Sequence, residues 1–250
     1  MKAIILAAGE GIRLRPYTLD RPKCLVEIDG VSLLDRQLDV LKSEKISPII
    51  LIGGYRADML IRPEIDLRIN AKYAETNMVS TLFCAISDIS GNLIVSYGDI
   101  VYSREILQSL LKSSADIAVT VDMDWREYWS ARNDNPLDDA ETLKLHKDGR
   151  ILELGQKPDS LLDIDGQYMG LMKFSAKGAE ILKQAYRFAR ESGLIRNKKL
   201  EKAYMTDLLQ SLIDAGFRVE SVPVYGGWVE IDTVRDLKSE ITRNRLNFIN

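Results

Sequence analysis

The sequence predicts an α/β fold built on a mixed, mainly parallel sheet. Three observations predict it. Short, continuous apolar runs end at glycines, as Ala3–Ala7 does before Gly9 and Pro48–Ile52 before Gly53-Gly54. That is the pattern of strands buried on both faces. Segments with apolar residues at helical spacing lie between such runs. The two kinds alternate as β-α-β-α through the first half, which requires parallel strands joined by right-handed crossovers.

Taken in order, Ala3 to Ala7 is the first strand, and Leu33, Leu34, Leu38 and Leu41 mark the first helix. Pro48 to Ile52 is the second strand. Val79, Leu82, Phe83 and Ile86 follow at helical spacing, with Thr76 or Asn77 placed to cap them. Leu93 to Tyr97 is the third strand, Ser103 opens a helix through Leu111, and Ile117 to Val121 is the fourth strand. Asp124 to Glu141 is polar and acidic, carries Trp125 and Trp129, and reads as an excursion or flap. Thr142–Leu145 and Arg150–Leu154 flank Lys147-Asp148-Gly149 as a hairpin. Gln167 to Phe174 is another strand. Helices are expected over Ala176–Glu191 and Met205–Ala215, extended segments over Phe217–Val224 and Trp228–Ile231, and a last helix after Asp232. The whole reads as one Rossmann-like domain over 1–250, with an inserted acceptor-covering segment at about 124–175.

Composition narrows the function. A chain of 250 residues with 46% apolar content can close one full core. A net charge of -3, from 34 basic and 37 acidic residues, argues against nucleic-acid binding. The apolar start is too short for a secretory signal and runs straight into a charged glycine loop. No apolar stretch approaches the roughly 20 residues of a membrane span. Cys24 and Cys84 are the only cysteines and His146 the only histidine, so neither a disulfide framework nor a Cys/His zinc set is available. A reduced, cytoplasmic enzyme is expected, with room for a homodimer.

The strongest chemical signal is Leu6-Ala7-Ala8-Gly9-Glu10-Gly11-Ile12-Arg13-Leu14-Arg15-Pro16, followed by Pro22-Lys23. A glycine turn after a buried strand lets backbone N–H groups approach a phosphate. A dinucleotide fingerprint needs glycine where Leu14 stands, and a P-loop needs Gly-Lys-Ser/Thr. Arg13 and Lys23 stand there instead. A triphosphate cleaved at its α-phosphorus needs charge neutralisation, by a forked arginine on the pyrophosphate and a point-charge lysine on the reacting phosphate. Asp99 follows the strand Leu93–Tyr97, where ligands of an open parallel sheet gather. It reads as a turn residue or a site carboxylate. Asp232 reads as a helix cap or a site carboxylate, with Glu230 on the same face. Magnesium takes hard oxygen ligands, often one or two carboxylates plus phosphate oxygens.

The loop resembles the opening of the sugar-phosphate nucleotidylyltransferase superfamily, L-A-A-G-x-G-x-R-L-x-P-x-T followed by P-K-x-L. It matches at Leu6 through Leu14, Pro16, Thr18, and Pro22-Lys23-Cys24-Leu25. The stretches Tyr73–Leu82 and Glu230–Thr233 resemble the small cytidylyltransferase branch. Asn135–Leu143, Ile151–Gly155, Tyr168–Gly170 and Tyr204–Thr206 resemble the cytidylyltransferases of capsular phosphoramidate biosynthesis, whose acceptor is phosphorylated glutamine.

The resemblance implies a nucleotide-diphospho-sugar transferase type of fold and a magnesium-dependent reaction. CTP and a small phosphorylated acceptor, phosphorylated glutamine or else phosphocholine, would give a CDP-linked product and pyrophosphate. It implies Arg13 and Lys23 as catalytic residues. Leu6, Ala8, Gly9, Gly11, Gly53, Tyr55, Asn77 and Asp99 join them at the nucleotide. Asp99, Asp232 and Glu230 would hold the metal, and Ser80, Lys157, Tyr168, Gly170 and Trp228 the acceptor. Hexose-acting branches carry Glu-Lys-Pro where this chain has Gln156-Lys157-Pro158, which weakens the sugar reading. Trp125, Trp129, Tyr168 and Trp228 are expected either to wall the pocket or to fill the core. Asp134, Asp138, Asp139 and Glu141 would receive an amine or form a solvated face.

Alternatives from other classes are a sugar-1-phosphate or inositol-1-phosphate nucleotidylyltransferase, a nucleotide-binding regulatory subunit, and a glycosyltransferase. The last would need Asp122-Met123-Asp124 as its metal motif, which lies after the wrong strand. A regulatory subunit would usually have lost one of Arg13, Lys23, Asp99 and Asp232.

Overall fold

Strand β1 (Lys2–Ala7) occupies the interior of the sheet, and all of it beyond Lys2 is buried. The computed structural model describes residues 1–247. In chain order, the hairpin β2 (Glu27–Ile28) and β3 (Val31–Ser32) leads into α1 (Leu33–Ser43), capped by the Ser32 hydroxyl accepting from Asp35 N. Then come β4 (Ile49–Gly53), β5 (Asp66–Ile69), α2 (Met78–Phe83), β6 (Leu93–Tyr97), β7 (Ile100–Tyr102), α3 (Arg104–Lys112) and β8 (Ile117–Asp122). The second half contains α4 (Trp125–Arg132), the hairpin β9 (Leu143–Leu145) and β10 (Ile151–Leu154), β11 (Gln167–Phe174) and α5 (Ala176–Ser192). It continues with β12 (Leu194–Ile195), β13 (Lys198–Lys199), α6 (Met205–Asp214), β14 (Glu220–Val224), β15 (Trp228–Glu230), α7 (Val234–Lys238) and α8 (Glu240–Asn247).

The main sheet runs β14-β8-β11-β6-β1-β4-β5. All its pairings are parallel except those of β11, which is antiparallel to both neighbours. The expected mixed, mainly parallel sheet is what forms. Its register matters for the site. Leu6 pairs with Tyr97 and Ala7 with Gly53, so β1, β6 and β4 end level and their following loops converge.

Beside the sheet core lies a smaller apolar cluster that includes Leu14, Val101, Val229, Ile231 and Leu237. It packs the glycine-arginine loop against the antiparallel pair β7–β15, which the sequence reading did not anticipate.

The stretch expected as a flap instead begins with α4, whose Trp125, Tyr128, Trp129 and Arg132 are all buried. Three large aromatic rings give up too much apolar area in the core to remain on a solvent-facing lid. The C-terminal helical segment is two helices, and Thr233, not Asp232, caps the first by accepting from Asp236 N. Among the described residues no helix is long and apolar enough to cross a membrane.

Candidate active site

The converging loops enclose a cavity of about 410 Å³. That lies within the roughly 300–1,000 Å³ of small-molecule sites. Leu6, Ala8, Gly9, Gly11, Arg13, Lys23, Asn77, Asp99 and Asp232 all line it. The loop after β1 is held open by its glycines. A Cβ on Gly9 would meet nothing within 4 Å, so the backbone there is bare. Gly11 has φ 64 and its carbonyl accepts from the buried Thr18 hydroxyl at 2.8 Å. A side chain at Gly11 would be strained and would press on Lys23 at 3.0 Å.

The charged groups meet at one end. Lys23 Nζ donates to Asp99 Oδ2 at 2.6 Å and to Asp232 Oδ1 at 2.5 Å. Arg13 pairs with the other oxygen of Asp232. These residues converge because β7 and β15 pair with Glu230 opposite Ile100, and Ile231 N then donates to the Asp99 carbonyl at 3.0 Å. Burial alone would pull the Lys23 ammonium's pKa down; Asp99 and Asp232 outweigh it and hold the pKa above its ordinary value. Burial pushes Asp232 up, but Lys23 and Arg13 outweigh that and hold it below the usual carboxylate range.

The pair of carboxylates suits a hard cation. Asp99 Oδ1 is buried with no hydrogen-bond partner among the described residues, an arrangement that costs free energy unless a cation meets it. A positive charge already sits between the two acids. Among the described residues no group of three or more acidic, histidine or cysteine side chains gathers to hold a metal alone. The set therefore fits an ion that draws its other ligands from a nucleotide's phosphates and water. Glu230, expected as a third ligand, turns instead to Arg132, with Oε2 2.7 Å from the guanidinium.

Other expected residues lie elsewhere. Gly53 and Tyr55 do not line the cavity; Tyr55 braces the loop after β1, and Gly53 ends β4 beside Ala7. Tyr55 N donates to the Ala8 carbonyl at 3.0 Å, and Gly53 O accepts from Asn70 N. Trp228 is 1% exposed, with its indole N–H donating to Asp122 at 2.8 Å, so it is core and not pocket wall. Lys157 is exposed outside the lining and its ammonium donates to the Leu137 carbonyl. Ser80 is also outside the lining. Gly170 and Tyr168 act one layer back. A Cβ at Gly170 would strike the Tyr97 ring at 2.5 Å, and Tyr168 packs edge-on against that ring at 5.6 Å.

Residues the sequence reading missed include Tyr73, Thr76, Tyr97 and Tyr204, all in the lining. Tyr97 had a signal, as the last strand residue before Gly98-Asp99. Tyr204 reaches the cavity only because Asn77 and Val79 of the α2 start bond to the backbone at Glu201 and Ala203, a contact invisible in sequence.

Comparison with known proteins follows the same lines. A family model described as a MobA-like NTP transferase domain matches residues 3–187. The chain is 41% identical to a CTP:phosphoglutamine cytidylyltransferase from Campylobacter jejuni, over 97% of this chain and 100% of that one. It is 32% identical to a choline-phosphate cytidylyltransferase from Streptococcus pneumoniae, over 46% of this chain and 52% of the relative. Among solved structures it is similar to the inositol-1-phosphate CTP transferase from T. maritima, with TM-score 0.77 and 22% identity over 99% of this chain and 95% of that one. At that identity the likeness speaks to the fold.

Proposed function

The chain belongs to the family of MobA-like NTP transferase domains, and from that premise we propose that it transfers the cytidylyl group of CTP to phosphorylated glutamine, releasing pyrophosphate. The observation that carries the reaction type is the meeting of Arg13, Lys23, Asp99 and Asp232 in the cavity lined by the loops after β1 and β6. The full-length likeness to a phosphoglutamine enzyme supports the choice of substrates.

In this reading an acceptor phosphate oxygen attacks the α-phosphorus. The new phosphorus–oxygen bond forms as the bond to the β-phosphate bridging oxygen breaks, and pyrophosphate leaves. No side-chain nucleophile is needed, so the protein orients the reactants and stabilises charge. The bare backbone around Gly9 receives the triphosphate. Lys23 leaves the two aspartates for the reacting phosphate and Arg13 takes the departing pyrophosphate. Asp99 and Asp232 would hold a magnesium ion, which would supply charge neutralisation to the phosphates. The base lies against Ala8, Thr76 and Asn77. Tyr97 and Tyr204 flank the acceptor. Both cysteines are free, which supports a cytoplasmic setting.

Cytosine presents an amine where uracil presents a carbonyl. A site built to accept that donor leaves two oxygens facing each other when uracil enters, a mismatch worth on the order of a hundredfold in rate. The test is pyrophosphate release from CTP, UTP, dTTP and ATP at equal, subsaturating concentration with phosphorylated glutamine. CTP should lead by that margin. Equal use of UTP or dTTP would reject the cytidylyl reading.

A further inference from the structure

Arg132 stands outside the cavity, on the last turn of α4, yet it grips both flanks of Asp232. Its guanidinium lies 2.7 Å from Glu230 Oε2 and its Nε donates to Asp236 Oδ1 at 2.9 Å. Asp236 in turn accepts, through Oδ2, from Asp232 N at 3.1 Å, from Thr233 N at 2.8 Å and from the Thr233 hydroxyl at 3.0 Å. The Arg132 and Asp236 side chains are 3% and 2% exposed. A second tie comes from the same helix. The Tyr128 hydroxyl accepts from Glu230 N at 2.9 Å and donates to Glu230 O at 3.3 Å.

A buried ion pair seldom adds much net stability over an apolar pair of the same volume. Here it connects α4, an element with no share in the cavity lining, to the two residues that bracket one aspartate of the charged cluster. The guanidinium's planar shape lets Nε donate to Asp236 while Nη1 sits 2.7 Å from Glu230 as a charge pair without hydrogen-bond geometry, a two-sided placement that a lysine's single ammonium does not offer.

We propose that Arg132 is the positioning residue of Asp232. It fixes the backbone on both sides of that carboxylate, through Asp236 after it and Glu230 before it. The inference rests on the reading of Asp99 and Asp232 as the metal carboxylates. Residues that orient metal ligands typically change metal affinity by about 10–100-fold when altered.

The test is Mn²⁺ binding to CTP-saturated protein, read from the electron paramagnetic resonance of free Mn²⁺, with thermal unfolding recorded alongside. Arg132→Lys keeps the charge but loses the fork. Asp236→Asn keeps the shape and weakens the same grip from the other side, so the question stays answerable if one variant does not fold. Each folded variant should bind Mn²⁺ about tenfold more weakly. The Mg²⁺ needed for half-maximal pyrophosphate release should rise in proportion, with kcat at saturating Mg²⁺ largely retained. A simple loss of folded protein would lower kcat and leave the metal constant where it was. Unchanged Mn²⁺ affinity in a folded variant overturns the proposal. Tighter Mn²⁺ binding also overturns it, because it would mean that Glu230, once released, becomes a ligand. Asp232→Asn is the control for the underlying reading: if it binds Mn²⁺ as wild type does, the metal assignment itself is wrong.

Discussion

Lys23 and Asp232 lie 209 positions apart in sequence, and the Lys23 ammonium donates to the Asp232 carboxylate at 2.5 Å. The same ammonium also bonds Asp99, so one cation balances two acids in a site where each is largely shielded from water. On the proposed reading the lysine holds the place that a metal ion would take, and moves to the phosphates when the nucleotide binds.

Replacing Lys23 with alanine should have two effects of opposite sign. Turnover should fall by about a hundredfold or more, since charge stabilisation that grows in the transition state is lost. The two carboxylates are left facing each other, so the nucleotide-free protein should bind Mn²⁺ more tightly than wild type, and Mn²⁺ should raise its Tm by more. Manganese titrations of both proteins without nucleotide check this; equal affinities would show that Lys23 does not occupy the ion's place.

Asp99→Asn and Asp232→Asn should each abolish turnover, and excess chelator should do the same to the wild-type enzyme. Asp99→Asn also gives up the ion pair of Asp99 Oδ2 with the Lys23 ammonium at 2.6 Å, so its Tm should fall modestly while Asp232 still holds Lys23. Sustained pyrophosphate release in chelator would remove the metal from the account.

Lys157→Ala should change the kcat/KM for the acceptor by no more than about twofold, because an exposed side chain outside the cavity contributes little. Tyr204→Ala, by contrast, removes a ring from the cavity wall. It should raise the acceptor KM by about tenfold with the KM for CTP held, as expected for loss of one aromatic contact. Parallel steady-state kinetics separate the two. The reverse ranking would put the acceptor on the Lys157 side of the molecule.

Glu141 is half-buried near Asp207. Burial first, and then that neighbouring carboxylate, push its pKa up to about 7 from the ordinary 4.5. The folded form thus binds a proton that the unfolded chain has already lost between these values, so stability falls as pH rises from about 4.5 to about 7. Glu141→Gln removes the titration. The Tm of wild type minus that of the variant should decline across that window, and a flat difference would mean that Glu141 is ionised throughout.

Much of this architecture was legible because burial on both faces writes continuous apolar runs, as at Ala3–Ala7 and Leu93–Tyr97, each followed by glycine. That Gly9, Gly11, Arg13 and Lys23 line one cavity was legible for another local reason, a glycine turn directly after a buried strand. What escaped was set by long-range packing. The pair β7–β15 is three residues long on each side and brings Asp99 to Asp232 through a register that no local pattern encodes. Helix α4 did leave a trace, since Trp125, Tyr128, Trp129 and Arg132 recur at i, i+3, i+4 and i+7. Acidic flanks masked it, and the segment read as an excursion or flap. Glu230 shares a strand face with Asp232 in sequence, but an arginine from a distant helix claims its carboxylate.

The most direct test of the account is kcat/KM with CTP for phosphorylated glutamine, phosphocholine, inositol-1-phosphate and glucose-1-phosphate, measured side by side with Mg²⁺ saturating. The account predicts that phosphorylated glutamine gives the highest value, with phosphocholine next and glucose-1-phosphate lowest. A site whose polar groups are built for one acceptor's amino-acid end leaves those groups unpaired with a sugar, which costs several kcal/mol, roughly a hundredfold or more in rate. A clear preference for glucose-1-phosphate or inositol-1-phosphate would contradict the account.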